Sequence, residues 1–113
     1  MKSLTKLLKG IHEELNKVEG TQFYHYRRPP DIKSEYGVWA EDAEQSSFHG
    51  DNMKLEQQIH GTVDYYTLIE FNPIIDDIQQ ALENVTPGGW YLSSVQYEDE
   101  TNLIHYEWEF EVV

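Results

Sequence analysis

Hydrophobic and polar positions alternate most regularly near the end of the chain. From Ile104 the even positions read Ile104, Tyr106, Trp108, Phe110 and Val112, and the odd ones His105, Glu107, Glu109 and Glu111. Period two marks a strand with one buried and one wet face. Residues 90–97 are also rich in strand formers, and the polar stretch 98–102 carries turn residues, so the two segments predict an antiparallel hairpin. Trp90 and Leu92 share one parity, Val95 and Tyr97 the other, which predicts a bulge near Ser93 and Ser94. The hairpin is expected to floor the core, with Trp108 and Phe110 against Leu7, Leu8, Ile11, Ile75, Ile78 and Leu82.

Elsewhere the period changes. Leu4, Leu7, Leu8, Ile11, Leu15 and Val18 recur at helical spacing, predicting a helix over 3–18 with Ser3 as N-cap and a stop at Gly20. Gly10 is costly in a helix interior and suggests close approach of another backbone. Residues 22–26 read as a short aromatic strand, ended by Arg27, Arg28, Pro29 and Pro30. A second strand is expected over 36–41. The longest is expected over 57–71, with Ile59, Val63, Tyr65, Ile69 and Phe71 on one parity. Asn72 and Pro73 then form the cap and first position of a second helix, whose stripe is Ile74, Ile75, Ile78, Ala81, Leu82 and Val85. The order α-β-β-β-α-β-β implies an α+β fold, two helices on one face of a mostly antiparallel sheet. Residues 1–113 read as a single domain. The polar segment 42–54 reads as a long loop that orders on docking.

Charge changes the picture more than composition does. Twenty-one acids against eight bases give a net charge of −13. Such a surface repels phosphates, so direct or sequence-specific nucleic-acid binding is not expected, and neither is a membrane partner. There is no cysteine, hence no disulfide framework or thiolate chemistry. No signal-peptide core and no spanning apolar run is expected.

No phosphate loop, HExxH or nucleophile elbow occurs. His60 and Asp64 share a strand parity and His105 stands near Glu107, a grouping a divalent metal could use, though scattered strand histidines are more often solvent-facing. Paired carboxylates are expected by chance at this acid content, so neither an enzyme nor a cofactor is expected. The row Glu107, Glu109, Glu111 reads either as a solvated face with edge protection or as an electronegative surface kept for a basic partner or a DNA-bearing lumen. Candidate interface residues are Lys6, Lys9, Arg27, Arg28, Phe48, Asp51, Glu98, Asp99, Glu107, Glu109 and Glu111.

Several stretches carry a family resemblance. They are 60–67 (HGTVDYYT), Phe71-Asn72-Pro73 with its amphipathic helix, Trp90-Tyr91-Leu92, 95–98 (VQYE) and 104–110 (IHYEWEF). Over roughly 34–113 the chain resembles small tail terminator, tail completion or head–tail connector proteins of long-tailed bacteriophages and prophages of Gram-positive bacteria. The resemblance implies a virion structural protein at the head–tail junction, without catalytic residues. It implies a homo-oligomeric ring, hexameric in the virion, that meets the tail tube protein and head-completion or connector proteins. Its place would be the virion, and the host cytoplasm during assembly. The alternative is a small cytosolic binding module that recognises a basic protein or a small ligand.

Overall fold

The computed structural model describes the backbone of residues 3–44, 49–50, 53–54 and 57–113, and the side chains of 3–44 and 57–113. The chain is an α+β fold of helices α1 (Leu4–Asn16) and α2 (Ile74–Val85) with strands β1 (Gln22–His25), β2 (Tyr36–Glu44), β3 (His49–Gly50), β4 (Met53–Lys54), β5 (Ile59–Thr67), β6 (Trp90–Glu98) and β7 (Leu103–Val112). Five strands form one sheet in the order β1-β2-β5-β7-β6. Only β1 and β2 are parallel; every other neighbour is antiparallel. Two-residue strands β3 and β4 pair as a separate ribbon, His49 opposite Lys54 and Gly50 opposite Met53.

Residues opposite one another in a ladder share a face. Trp39, Val63 and Trp108 therefore form one row across β2, β5 and β7. Both helices cover this face. Leu7, Ile11 and Leu15 of α1 and Ile78, Ala81 and Leu82 of α2 join Trp39, Val63, Tyr65, Trp108 and Phe110 in a single core. The expected burial of Trp108 and Phe110 is borne out, with Leu8 and Ile75 packed at the margin. The indole N–H of Trp108 donates to Gln79 Oε1 of α2 at 3.1 Å, whereas that of the equally buried Trp39 finds no hydrogen-bond acceptor among the described residues. Gly61 makes room for this packing. A Cβ there would meet the Phe110 ring at 2.5 Å and the Ala40 carbonyl at 2.6 Å.

The phase slip in β6 is a register shift between Leu92 and Ser94, as expected. Ser93 uses the opening to donate its hydroxyl to the Glu107 carbonyl (3.0 Å) and carboxylate (2.9 Å). The shift puts Trp90, Leu92, Val95 and Tyr97 on the helix side together, opposite Phe110, Trp108, Tyr106 and Ile104.

Other expectations are corrected. β5 stops at Thr67, and Ile69 and Phe71 are exposed rather than on a buried parity. The cause is a polar knot. Glu35, in the left-handed region at φ 54, accepts from the Thr67 hydroxyl at 2.6 Å and the Leu68 amide at 2.7 Å. Thr67 Oγ1 in turn accepts from the Ile69 amide and the Asn72 side chain, both at 3.0 Å. These side chains take the amides that would have extended the ladder. Asn72 Oδ1 also accepts from the Ile74 amide at 3.0 Å, the expected cap, while Pro73 already has helical angles. At α1, Ser3 makes no side-chain cap bond, Leu4 is exposed, and open space rather than backbone faces Gly10. Residues 42–44 belong to β2, which shifts register between Glu41 and Ala43. Apart from the β3–β4 ribbon, the rest of the expected docking loop lies outside the described residues.

Trp108 is fully buried, so Trp108→Ala should cost about 3–5 kcal/mol, a large share of the roughly 5–15 kcal/mol available to a domain. Thermal or urea unfolding checks this; a melting point within about two degrees of the parent would contradict this core.

Candidate functional site

Among the described residues no helix covers the sheet face away from α1 and α2, and its polar side chains are tied to one another. His60 of β5 has both ring nitrogens against carboxylates: Nδ1 is 2.7 Å from Asp42 Oδ1 and Nε2 is 3.0 Å from Glu109 Oε1. Only an imidazolium can donate from both nitrogens, so this arrangement requires the charged ring. The hydrogen bond to Asp42 raises the pKa of His60, burial opposes it, and Glu109 adds to the rise. His105 of β7 lies 2.7 Å from Asp64 Oδ1 of β5 through Nε2, and that bond raises its pKa against a smaller burial effect.

A row of stacked rings crosses the same face. Arg28 lies over Tyr36 at 5.5 Å, Tyr36 stacks on Tyr66 at 4.7 Å, and Tyr66 on His105 at 4.2 Å. The row follows the ladder Tyr36–Tyr66–His105–Gln96 from β2 to β6. Burial, then Asp64 and further neighbours, push the Tyr66 phenol up to about 12, so it remains neutral.

The two free edges differ in kind. Beyond β1, Tyr26 (φ 76) stacks on His25 at 3.7 Å, and His25 on Trp39 at 3.9 Å. Glu41 accepts from His25 Nε2 at 2.7 Å and from the Tyr26 hydroxyl. Burial alone would raise the pKa of Glu41, but these two bonds prevail and lower it. Arg27, Arg28 and Lys33 occupy the connection from β1 to β2. At the other edge Leu92, Val95 and Tyr97 of β6 are exposed on the helix side because neither helix reaches them. With Leu68, Glu70, Asn102 and Ile104, Val95 and Tyr97 line a groove of about 610 Å³. In the turn after Leu68, Phe71 is 89% exposed with φ 58. Glu98, Asp99 and Glu100 rim that end of the edge.

The predicted interface residues fall into separate places. Lys6 and Lys9 are exposed on α1, Lys6 at a groove shared with Val112. Val112 pairs with Ile59, at the opposite end of β5 from Tyr66, so Lys6 and Arg28 do not form one basic patch. Arg27 is exposed and Arg28 is half-buried on Tyr36. Glu98 and Asp99 stand at the β6–β7 turn, where Glu98 accepts from Thr101 at 3.2 Å. Phe48 and Asp51 lie outside the described residues.

Glu107, Glu109 and Glu111 do share the uncovered face, but they are half-buried and engaged, with Ser93, His60 and Gln58 respectively. β7 lies between β5 and β6, so this row protects no edge. Of the residues in the metal option, Asp64 and His105 pair with each other, while His60 bonds Asp42 and Glu109 and Glu107 bonds Ser93; no group of three or more metal-ligating side chains occurs among the described residues.

The sequence reading missed Leu68, Phe71, Val95 and Tyr97 as surface residues. The signal was the bulge itself, which lengthens the apolar side of β6 beyond what two short helices can cover. No family model and no curated protein matches the chain.

The histidine pairs predict a pH dependence. Their folded pKa values lie above the ordinary 6.5. The stability they contribute is therefore complete below about 6.5 and is lost as pH rises through the folded values. Melting temperature should fall on going from about pH 6 to about pH 9, and His60→Gln and His105→Gln should each flatten that slope. Parallel pH profiles for parent and variants would contradict the ion pairs.

Proposed function

We propose that this chain is a virion structural subunit of a long-tailed bacteriophage or prophage, a tail terminator or tail completion protein that assembles into a ring at the head–tail junction. The sequence resemblance over 34–113 motivates the reading. The observation that carries it is the difference between the sheet's two free edges. One is bordered by Arg27, Arg28 and Lys33, the other by exposed apolar residues and Glu98, Asp99 and Glu100. Like edges repel and unlike edges complement, which favours head-to-tail association, and a head-to-tail contact that closes makes a ring.

On this reading the ring meets the tail tube protein on one side and a connector on the other, and it performs no chemistry. An acidic sheet face turned inward would keep DNA from adhering to the lumen. Each surface ion pair is worth only about 0–1 kcal/mol, so apolar contacts must supply most of the affinity while charge sets register. At −13 the free subunits also repel one another as wholes.

The protein should be mainly monomeric in dilute low-salt buffer and form rings when salt, a divalent cation or tail-tube ends are supplied. Light scattering over a concentration and salt series, with negative-stain microscopy, reads this out. Monomers under every condition, tube ends included, would overturn the ring and favour the binding-module alternative.

A further inference from the structure

We infer that the β6 edge is the acceptor for a second copy of this chain and that the donor is the β1 edge, so that the sheet continues from subunit to subunit. This names the contact within the ring reading and rests on it only for closure, since any head-to-tail association could use the same contact.

Four observations converge. First, β6 is a nine-residue strand at the sheet margin, and among the described residues no strand lies beyond it. Backbone groups on such an edge are a template for another strand. Second, its helix side holds exposed Leu92, Val95 and Tyr97 beside the Leu68–Ile104 groove, with Phe71 held outward by a left-handed backbone. A contiguous apolar surface of this kind marks an interaction site. Third, the acceptor is rimmed by Glu70, Glu98, Asp99 and Glu100, so two β6 edges would oppose acid to acid. The β1 side offers Arg27, Arg28 and Lys33 instead, against one exposed acid, Asp31, in the same connection. Arg28 sits on Tyr36, in the row that ends at Gln96, so the basic and acidic groups lie at the same end of the sheet on opposite margins. Fourth, the pairings make β1 and β6 run in opposite directions within one sheet. A neighbour related by rotation about an axis along the strands presents its β1 antiparallel to β6. The short β1 ladder then brings the next copy's α1, which packs on β1, over the apolar side of β6.

The chain has no cysteine, so a thiol pair can be introduced cleanly. Gln22 of β1 and Gln96 of β6 are exposed on the uncovered face. Mixed Gln22→Cys and Gln96→Cys proteins should form a disulfide-linked dimer at least about tenfold faster than either variant alone, because adjacent edges raise the effective thiol concentration. Adding Val95→Arg to the Gln96→Cys partner should abolish the excess while leaving the melting temperature unchanged, since Val95 is exposed. Preferential cross-linking of Gln96→Cys with itself would show β6 pairing with β6 and overturn the assignment. No excess in the mixture, or an excess that survives Val95→Arg, would also overturn it. Rings without this cross-link leave the ring reading standing and remove the interface. The cross-link without rings does the reverse.

Discussion

Two helices can dry one face of a five-stranded sheet, and among the described residues no third layer covers the other. That constraint organises the rest. The covered face collects Trp39, Val63, Trp108 and Phe110. The uncovered face has to be stable in contact with water, and it is built from stacked rings and paired charges rather than from isolated polar residues. His60 joins β2, β5 and β7 through Asp42 and Glu109, and His105 joins β7 to β5 through Asp64. Each histidine also offsets part of the carboxylate crowding that the strand pattern creates. On β6 only Trp90 is held by a helix, through Glu83 of α2 at 2.7 Å, so beyond it the covered face has an apolar fringe of Leu92, Val95 and Tyr97 that the subunit itself leaves open.

The Glu35–Thr67–Asn72 knot decides where that fringe begins. Thr67 and Asn72 are the buried polar residues among those described, and both are satisfied. Their bonds end β5, start α2 and tie both to the connection that precedes β2. The turn between Thr67 and Asn72 then projects Leu68, Ile69 and Phe71 outward. A buried polar cluster that fixes chain direction this way has few alternatives, because each member left unpaired would cost a desolvated group.

The sequence made much of this legible. Period two in 104–112, helical spacing in both helices, the Asn72–Pro73 cap and the β6 bulge are local signals, and each corresponds to what the structure contains. The failures are non-local. Ile69 and Phe71 continue the apolar parity of β5, and only the reach of Glu35 from thirty-odd residues away removes them from the ladder. Likewise the Glu107–Glu111 row has the pattern of a free acidic stripe, but its partners come from β5, β6 and the segment before β5. Strand order, which puts β7 inside and β6 outside, is absent from any single segment's periodicity. For the candidate surfaces, charge type was readable and grouping was not: Lys6 and Arg28 lie at opposite ends of the sheet.

The interior position of β7 bears on how the protein is made. Its partners on β5 lie far back in the chain, Ile59 with Val112 and Thr67 with Ile104, and such non-local pairings form slowly. During synthesis β1, β2 and β5 can meet early, but β6 has no place in the sheet until β7 arrives between them. The β6 edge and its apolar fringe therefore come into being together, with the last strand to join. A nascent chain cannot display that surface in assembled form, so the proposed association through it would wait for β7, and chains on one polysome would be spared premature contacts.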